Sequence, residues 1–291
     1  MGMARIARSR RTALVAAAVA ALVTLTATGC GGAATTAAGR QSSGAGSGAG
    51  SSSAPGPGTS PGSSSGSDPS GDPTPKSTSG DNVPPGGTET VSSVLEYTTG
   101  THDKSVALTF DDGPSAQWTP KILAVLAQYH AHATFCEIGP NATANPAMVQ
   151  AIRAAGDQLC DHSVSHNEAM SKWGADRQTH EIADAKQMIL TAGGSGTEVS
   201  WFRAPGGDFS PLNRHISALN GLRPLAWTSD SDDWKRPGVP AILANIRKNV
   251  RPGAIILMHD GGGDRSQTVA ALQQLLPQLV QQGYSFDFPA K

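Results

Sequence analysis

The sequence predicts an α/β fold built on a parallel β-sheet, and two features of its last two thirds support this. Short apolar strands alternate with amphipathic helices from Lys104 onward. Such alternation is typical of an open doubly wound sheet or of a closed barrel. Polar residues also follow the ends of most predicted strands, and in a barrel those ends share one face, where active sites are built. The pattern therefore favours a barrel with a polar mouth.

The first strand is predicted from the alternation of Val106, Leu108 and Phe110 with smaller residues, and it ends at Asp111. Apolar runs between polar segments predict the later strands at residues 133–138, 158–161, 199–203, 222–227 and 254–258. Apolar residues at helical spacing predict the helices at residues 119–129, 146–155, 176–190, 212–220, 240–249 and 267–282. Two glycines, Gly193 and Gly194, follow the helix predicted at 176–190 with a C-cap signal.

Residues 31–95 differ in composition from the rest of the chain. They contain 16 Ser, 15 Gly and 8 Pro, and the first aromatic residue of the chain is Tyr97. Such a segment buries too little apolar surface to offset its ordering entropy. We therefore expect a signal peptide at 1–30, a disordered linker at 31–95 and one folded domain at 96–291. The linker would have an r.m.s. span of roughly 45 Å.

The N-terminus has the features of an export signal. Four arginines between residues 5 and 11 precede an apolar run at 13–23, which is shorter than the ~20 residues of a membrane span. Residues 27–30 (ATGC) resemble a bacterial lipobox, in which Cys30 would be lipidated. We expect a protein anchored by lipid to the outer side of the cell membrane, facing the wall; the alternative is a cleaved signal peptide and a secreted protein. Export by the general or the twin-arginine route stays open.

The charge balance excludes one class of partner. The formal net charge is -1, and no basic run follows residue 11. Nucleic-acid binding requires a face rich in lysine and arginine. We therefore expect no nucleic-acid partner.

Residues 109–114 (TFDDGP) place two carboxylates, Asp111 and Asp112, at the end of a buried strand. Adjacent strand residues point to opposite sides, so one carboxylate could bind a metal while the other acts as a base. The alternative is an ordinary turn, because Asp-Gly-Pro is common in turns.

Residues 162–166 (HSVSH) place two imidazoles, His162 and His166, four positions apart. On a helix or in a tight turn this spacing brings both rings to one side, as in zinc sites. A metal site with open positions needs a third protein ligand, and Asp112 is the best candidate. This set suits zinc, with cobalt or another divalent ion as alternatives. A chance pair of histidines is the other interpretation.

Three further polar positions follow later strands. His259 precedes a glycine run at 261–263, which indicates an open loop rather than a core histidine. Arg203 precedes a rigid Ala-Pro-Gly-Gly turn. Asp230 lies in the acidic segment 227–234, for which the alternative is a solvated loop with surface ion pairs.

Together these motifs resemble the NodB homology domain of polysaccharide deacetylases, carbohydrate esterase family 4. The resemblance spans about residues 100–286 and rests on TFDDGP at 109–114, HSVSH at 162–166, RAPGG at 203–207, DSDDW at 230–234 and LMH at 257–259. Each motif is weak alone, but five in the family's order are specific. The resemblance implies a distorted (β/α) barrel that removes N- or O-acetyl groups from polymeric sugars with a divalent metal.

The resemblance also implies a role for each residue of the reaction centre. Asp112, His162 and His166 would bind the metal. Asp111 would be the general base that takes a proton from the attacking water. His259 would be the general acid that protonates the departing amine or alkoxide.

The supporting roles follow from the same resemblance. Arg203 would orient the base, and Asp230 would hold the acid in its working protonation state. Trp234 and Leu257 would line the pocket for the acetyl methyl group. The backbone N–H of Gly206 would help to hold the oxyanion.

The chain departs from the family pattern at three positions. Gly206 stands where many members have an aromatic residue, which leaves a more open groove. Cys136 and Cys160 replace a usual Phe and a usual Gly. If Cys30 carries lipid, these two form an even pair in an exported protein, which predicts a disulfide. Two buried apolar thiols are the alternative.

The leading hypothesis is a metal-dependent deacetylase of N-acetylglucosamine units in peptidoglycan or chitin-type oligomers. O-deacetylation of acetylxylan is an alternative, because the motifs concern the acetyl group and not the sugar. A catalytically silent, wall-binding lipoprotein is an alternative of another class. Retention of every ligand and acid–base position argues against it. The expected partners are the polysaccharide and, through the N-terminal lipid, the membrane.

Overall fold

The structure is a computed structural model that describes residues 85–101 and 103–291. The predicted signal peptide, Cys30 and residues 31–84 of the predicted linker lie outside the described residues. Within the described part no helix is both long enough and apolar enough to cross a bilayer.

Strands and helices alternate along the described chain. The strands are β1 (Ser105–Gly113), β2 (Ala133–Glu137), β3 (Gln158–Asp161), β4 (Val199–Phe202), β5 (Arg223–Pro224), β6 (Ser229–Asp230), β7 (Ala254–His259) and β8 (Ser285–Phe286). The helices are α1 (Thr119–Gln128), α2 (Gly139–Ala144), α3 (Pro146–Ala154), α4 (Ala175–Gly193), α5 (Pro211–Leu219), α6 (Val239–Asn249) and α7 (Ser266–Gln281).

All strands belong to one parallel sheet with the order β5-β4-β3-β2-β1-β7-β6, and β8 pairs with the start of β1. The sheet curls around a small interior cluster, so that the fold is a partial barrel, as the sequence predicts. The cluster contains Ala107, Cys136, Cys160, Trp201, Leu225 and Ile255. The larger core lies between the outer face of the sheet and the helices. The strand ends therefore meet at one open mouth.

Two cysteines tie adjacent strands together just below this mouth. Cys136 on β2 and Cys160 on β3 are register partners, and the structure joins them in a disulfide with Cα atoms 4.1 Å apart. Both side chains are fully buried. This is the pairing that the sequence favours over two free thiols.

The predicted elements and the observed ones differ mainly where elements are short. The strand expected at 222–227 is reduced to Arg223–Pro224, since its partner strand β4 ends at Phe202. Beyond it, the Ala226 N–H donates to the Glu96 carbonyl at 2.9 Å instead. The helix α2 and the strands β6 and β8 were not predicted, since runs of two to six residues show little periodicity.

The end of the predicted linker contacts the domain. The Thr90 backbone N–H and hydroxyl both donate to the Ala218 carbonyl, at 3.1 and 3.0 Å. The Glu89 carboxylate pairs with His215 Nδ1 at 2.9 Å. Ordered contacts therefore begin before residue 96, the predicted domain boundary. Composition averaged over a low-complexity segment does not show where single polar side chains find partners.

Candidate active site

A cavity of about 360 Å³ opens at the carboxyl ends of the strands. Most of the candidate residues from the sequence line it, and they come from all five motifs: Asp111, Asp112, His162, His166, Gly206, Asp230, Trp234, Leu257 and His259. Arg203 lies beneath the cavity and is fully buried. The topology brings these residues together because parallel strands present their carboxyl ends to one face.

Asp111 and Asp112 both face the cavity although they are adjacent in one strand. The pairing of β1 with β2 shifts register between Asp111 and Gly113, and Asp112 adopts a left-handed conformation with φ of 72°. This irregularity turns the second carboxylate back toward the mouth. The glycine run at 261–263 packs closely against the backbone of Asp112, since a β-carbon at Gly261 would overlap the Asp112 carbonyl. The run is thus in part a close packing contact, not only the open loop expected from the sequence.

Asp112, His162 and His166 form a ligand set for a divalent metal. Asp112 Oδ1 lies 3.5 Å from His162 Nε2 and 3.0 Å from His166 Nε2. Two ligands that bind one zinc tetrahedrally at about 2.1 Å are roughly 3.4 Å apart. Asp112 Oδ1 is also buried without a hydrogen-bond donor. A bound cation would compensate the negative charge of this oxygen. The three side chains are therefore suited to bind a divalent metal ion.

The backbone of Arg203 fixes the orientation of His162. The His162 Nδ1–H donates to the Arg203 carbonyl at 2.8 Å. This bond places the ring proton on Nδ1 and leaves the Nε2 lone pair directed at Asp112. Metal-binding histidines are commonly oriented in this way.

The Arg203 side chain fixes Asp111. Its Nη1 donates to Asp111 Oδ1 at 2.7 Å and to Thr109 Oγ1 at 2.9 Å. The remaining guanidinium donors bind the carbonyls of Leu225 and Ala226 at 3.1 and 3.2 Å. These bonds lie in the buried interior of the barrel and anchor Oδ1 of Asp111. The other oxygen, Oδ2, lies on the cavity side, 3.7 Å from His162 Nε2.

His259 is held by Asp233. His259 Nδ1 lies 2.7 Å from Asp233 Oδ1, and the His259 backbone N–H donates to Asp233 Oδ2 at 3.0 Å. The Thr268 hydroxyl donates to Asp233 Oδ2 at 2.6 Å. Burial lowers the pKa of His259, but the hydrogen bond and charge of Asp233, together with the charges of Asp111 and Asp112, outweigh it and raise this pKa to about 9. The imidazole is therefore protonated near neutrality.

This contact corrects the expectation for Asp230. Asp230 pairs in register with Leu257, two residues before His259, and its Oδ1 accepts the Asp232 backbone N–H at 2.8 Å. A left-handed turn at Asp232, with φ of 53°, then brings Asp233 back beneath His259. The motif contains three carboxylates, and its spacing alone does not show this turn. Asp230 instead lines the cavity, where burial raises its pKa.

The walls of the cavity are shaped by glycines and indole rings. Gly206 has a φ of 59°, and a β-carbon there would lie 3.0 Å from Glu168 Cγ. Trp234 is half exposed at the rim, whereas Leu257 is buried in the wall. A side chain at Gly206 would therefore crowd the side chain of Glu168, which borders the place where many family members have an aromatic residue.

Two buried carboxyl groups, Glu137 and Asp260, lie on either side of Gly113 and were not identified from the sequence. Gly113 is the register partner of Glu137, and a β-carbon on Gly113 would overlap the Asp260 carboxylate. Thr119 Oγ1 donates to Asp260 Oδ2, while both oxygens of Glu137 lack a donor. Burial raises the pKa of Asp260 to about 7 and that of Glu137 well above its ordinary value.

Comparisons with known proteins agree with this geometry. A family model described as polysaccharide deacetylase matches residues 98–225. The peptidoglycan-N-acetylglucosamine deacetylase of Bacillus cereus is 38% identical over 187 residues, which cover 64% of this chain and 86% of that protein. A chitooligosaccharide deacetylase of Sinorhizobium fredii is 37% identical over 195 residues, which cover 64% of this chain and 90% of that protein.

A solved structure with the same fold is a carbohydrate esterase family 4 pseudoenzyme from Bacillus anthracis. It is 29% identical to this chain with a TM-score of 0.61, and the match covers 67% of each chain. Proteins of this fold therefore include both deacetylases and a protein described as a pseudoenzyme.

Proposed function

The chain belongs to the polysaccharide deacetylase family and is a hydrolase of carbon–nitrogen bonds, and from this premise we propose that it removes acetyl groups from N-acetylglucosamine units with the help of a bound divalent metal, most simply zinc. Peptidoglycan and chitin-type oligomers are the proposed substrates, since the relatives are named for these two polymers. The observation that supports the proposal best is the juxtaposition, in one cavity, of a metal ligand set, an anchored carboxylate and a protonated imidazole.

The proposed metal ligands are Asp112, His162 and His166. Their ligand atoms lie within 4.8 Å of one another. When bound, a divalent metal lowers the pKa of water and polarises a carbonyl oxygen. The donor set of two imidazoles and one carboxylate suits zinc and leaves positions for substrate and water.

Asp111 is the proposed general base. Arg203 holds its Oδ1, so Oδ2 is the oxygen that can accept a proton from the water that attacks the acetyl carbonyl carbon. The anchor also prevents the carboxylate from turning into the ligand set, which keeps the roles of Asp111 and Asp112 separate. The attack gives a tetrahedral oxyanion, toward which the Gly206 backbone N–H is a proposed donor.

His259 is the proposed general acid. When the tetrahedral intermediate collapses, the carbon–nitrogen bond breaks and the departing amine needs a proton. An imidazole with a pKa of about 9 is protonated at neutral pH and can supply it. Asp233 supports this state by accepting the Nδ1–H, so that Nε2–H remains for the substrate. Trp234 and Leu257 are proposed to enclose the acetyl methyl group.

The proposed location is the outer side of the cell membrane, with the lipid on Cys30 and the linker between anchor and domain. The support is the sequence of residues 1–30 and the composition of residues 31–95. Fractionation of cells that express wild-type protein or Cys30→Ser tests it. We expect the wild type in the membrane fraction and the variant released; a variant that stays in the membrane would refute lipid anchoring.

The competing function is wall binding without catalysis. A protein of the same fold that is described as a pseudoenzyme is a precedent for the absence of catalysis. The structure argues against it, because the proposed metal ligands lie together, Arg203 binds the proposed base and Asp233 binds the proposed acid. Loss of catalysis usually leaves gaps in such a set.

A substrate panel tests the proposed function. Acetate release would be measured on chitooligosaccharide, peptidoglycan and acetylxylan at equal acetyl concentration, with the zinc-loaded protein and with Asp111→Asn as control. We expect release from at least one of the two N-acetylated substrates and faster turnover there than on acetylxylan. Turnover on acetylxylan alone would assign the O-deacetylase function instead, and none on any substrate would favour the silent binder.

A further inference from the structure

The loop that joins the two proposed histidine ligands has an unusual set of hydrogen bonds. Each backbone N–H from Ser163 to His166 donates to a side chain rather than to the backbone. The Ser163 N–H binds Asp161 Oδ1 at 2.8 Å, and the His166 N–H binds Ser163 Oγ at 3.1 Å. The loop is therefore shaped by the side chains around which it folds.

Glu181 on α4 binds the middle of this loop. Its Oε2 accepts the backbone N–H groups of Val164 and Ser165, at 3.1 and 2.8 Å. Its Oε1 accepts the Ser165 hydroxyl at 2.8 Å. Glu181 is itself buried, with 9% of its surface exposed. One carboxylate thus receives three donors from the segment between the two ligands.

The backbone of the loop needs such support. Ser163 and His166 have φ values of 68° and 52°, in the left-handed region that non-glycine residues rarely adopt. Such a conformation is strained for a residue with a side chain, and it persists only where the surroundings over-determine it. In this conformation His166 Nε2 lies 3.0 Å from Asp112 Oδ1, so the placement of the ring is tied to the contacts that keep the loop closed.

We propose that Glu181 is a positioning residue for the metal centre: its carboxylate closes the 163–166 loop and so holds His166 against Asp112. This inference rests on the metal centre of the proposed function. The hydrogen bonds of Glu181 all go to Val164 and Ser165, and Glu181 does not line the cavity, so it would act through the loop. Residues that orient metal ligands typically change metal affinity about 10- to 100-fold when they are replaced.

The alternative role of Glu181 is purely structural, as an attachment of α4 to the sheet. The two roles predict different measurements. A structural attachment would lower the unfolding temperature of the metal-free protein and leave the affinity for metal unchanged. A positioning residue changes the affinity, and excess metal restores the turnover number, because the base and the acid are untouched.

The test measures the zinc dissociation constant by competition with a chelator of known affinity. The variants are Glu181→Met, which keeps the length and removes the acceptors, and Glu181→Gln, whose amide oxygen can still accept both backbone N–H groups. Asp184→Asn is the matched control, since Asp184 lies on the same helix and is exposed. Unfolding temperatures with and without zinc are recorded for each protein.

We expect Glu181→Met to weaken zinc binding about tenfold or more, with Glu181→Gln and Asp184→Asn within about threefold of the wild type. Turnover of the Met variant should return near the wild-type value at saturating zinc. Unchanged affinity in Glu181→Met would overturn the inference. If this variant does not fold, Ser165→Ala decides, because it removes only the hydroxyl donor from an exposed residue. A zinc affinity two- to threefold below that of the Asp184→Asn control supports the role, and an affinity equal to that control refutes it.

The outcome is distinguishable from failure of the proposed function. A wild-type protein that binds neither zinc nor cobalt would refute the proposed metal centre itself. A wild-type protein that binds zinc with the same affinity as Glu181→Met would refute only the role of Glu181.

Discussion

His259 and Asp233 are joined by two hydrogen bonds, one from the imidazole Nδ1 at 2.7 Å and one from the backbone N–H at 3.0 Å. The second bond fixes the carboxylate relative to the main chain, so the first can hold the ring in one orientation. The pair links the end of β7 to the turn after β6, and it places a protonated group beside Asp111, the register partner of His259 on β1.

The first prediction concerns Asp233→Asn. A general acid must be protonated, so the rate falls as pH rises through its pKa. The Asp233 charge raises the pKa of His259, and its removal should lower that pKa and move the alkaline fall of kcat/KM to lower pH. Initial rates over a pH series measure this. Asp230→Asn is the matched control and should shift the profile less, because Asp230 has no hydrogen bond to His259. Equal shifts in both variants would contradict the role of Asp233.

The second prediction separates the base from the metal ligands. Asp111→Asn should reduce kcat by about 10²-fold or more, since the amide cannot take a proton, while zinc affinity stays within a few-fold of the wild type. His162→Ala should weaken zinc binding itself, because it removes a ligand atom. Chelator competition and acetate release on both variants test this. A base variant that loses zinc as readily as the ligand variant would show that the two roles are not separate.

The third prediction uses the buried carboxyl of Glu137. Burial raises its pKa, and the charges of Asp260 and Asp111 raise it further. A carboxyl group with a raised folded-state pKa stabilises the fold below its unfolded pKa of about 4.3, and this contribution is lost as pH rises toward the folded pKa. Glu137→Gln stays neutral, so its unfolding temperature should fall less than that of the wild type between about pH 4 and pH 8.

Thermal unfolding of the metal-free protein over this pH range measures the effect. Glu198→Gln is the control, since Glu198 is exposed. The same pH dependence in wild type and Glu137→Gln would mean that Glu137 is not a buried, protonated group in the folded state.

The fourth prediction concerns the disulfide beneath the cavity. Cys136 and Cys160 are 24 residues apart, and a cross-link of this length stabilises a fold by about 3 kcal/mol through the lost entropy of the unfolded chain. The double variant Cys136→Ala with Cys160→Ala should lower the free energy of unfolding by roughly this amount in urea. The same stability in the wild type, oxidised or reduced, would show that the bond does not form.

The sequence predicts the strands that frame the cavity because buried parallel strands have long, regular apolar patterns, as in 105–113 and 254–259. Their polar ends then identify Asp111, Asp112 and His259. The assignment of Asp230 as the residue that holds His259 was wrong, because a left-handed turn at Asp232 brings Asp233 to His259 instead, and no periodic pattern encodes this turn.

The positions of Glu137 and Glu181 were also not predictable from the sequence. Glu181 lies within an amphipathic helix, where a carboxylate is ordinarily interpreted as solvent-exposed. Glu137 ends a predicted strand but belongs to no recognised motif. Their importance depends on contacts between elements far apart in the chain, which appear only when the sheet has curled.

The central claim is that the cavity performs metal-dependent deacetylation. Acetate release from chitooligosaccharide or peptidoglycan by the purified protein, after chelator treatment and after return of zinc, tests it most directly. The account predicts that chelation abolishes release and that zinc restores it in the wild type but not in Asp111→Asn. Full activity after removal of the metal would contradict the account.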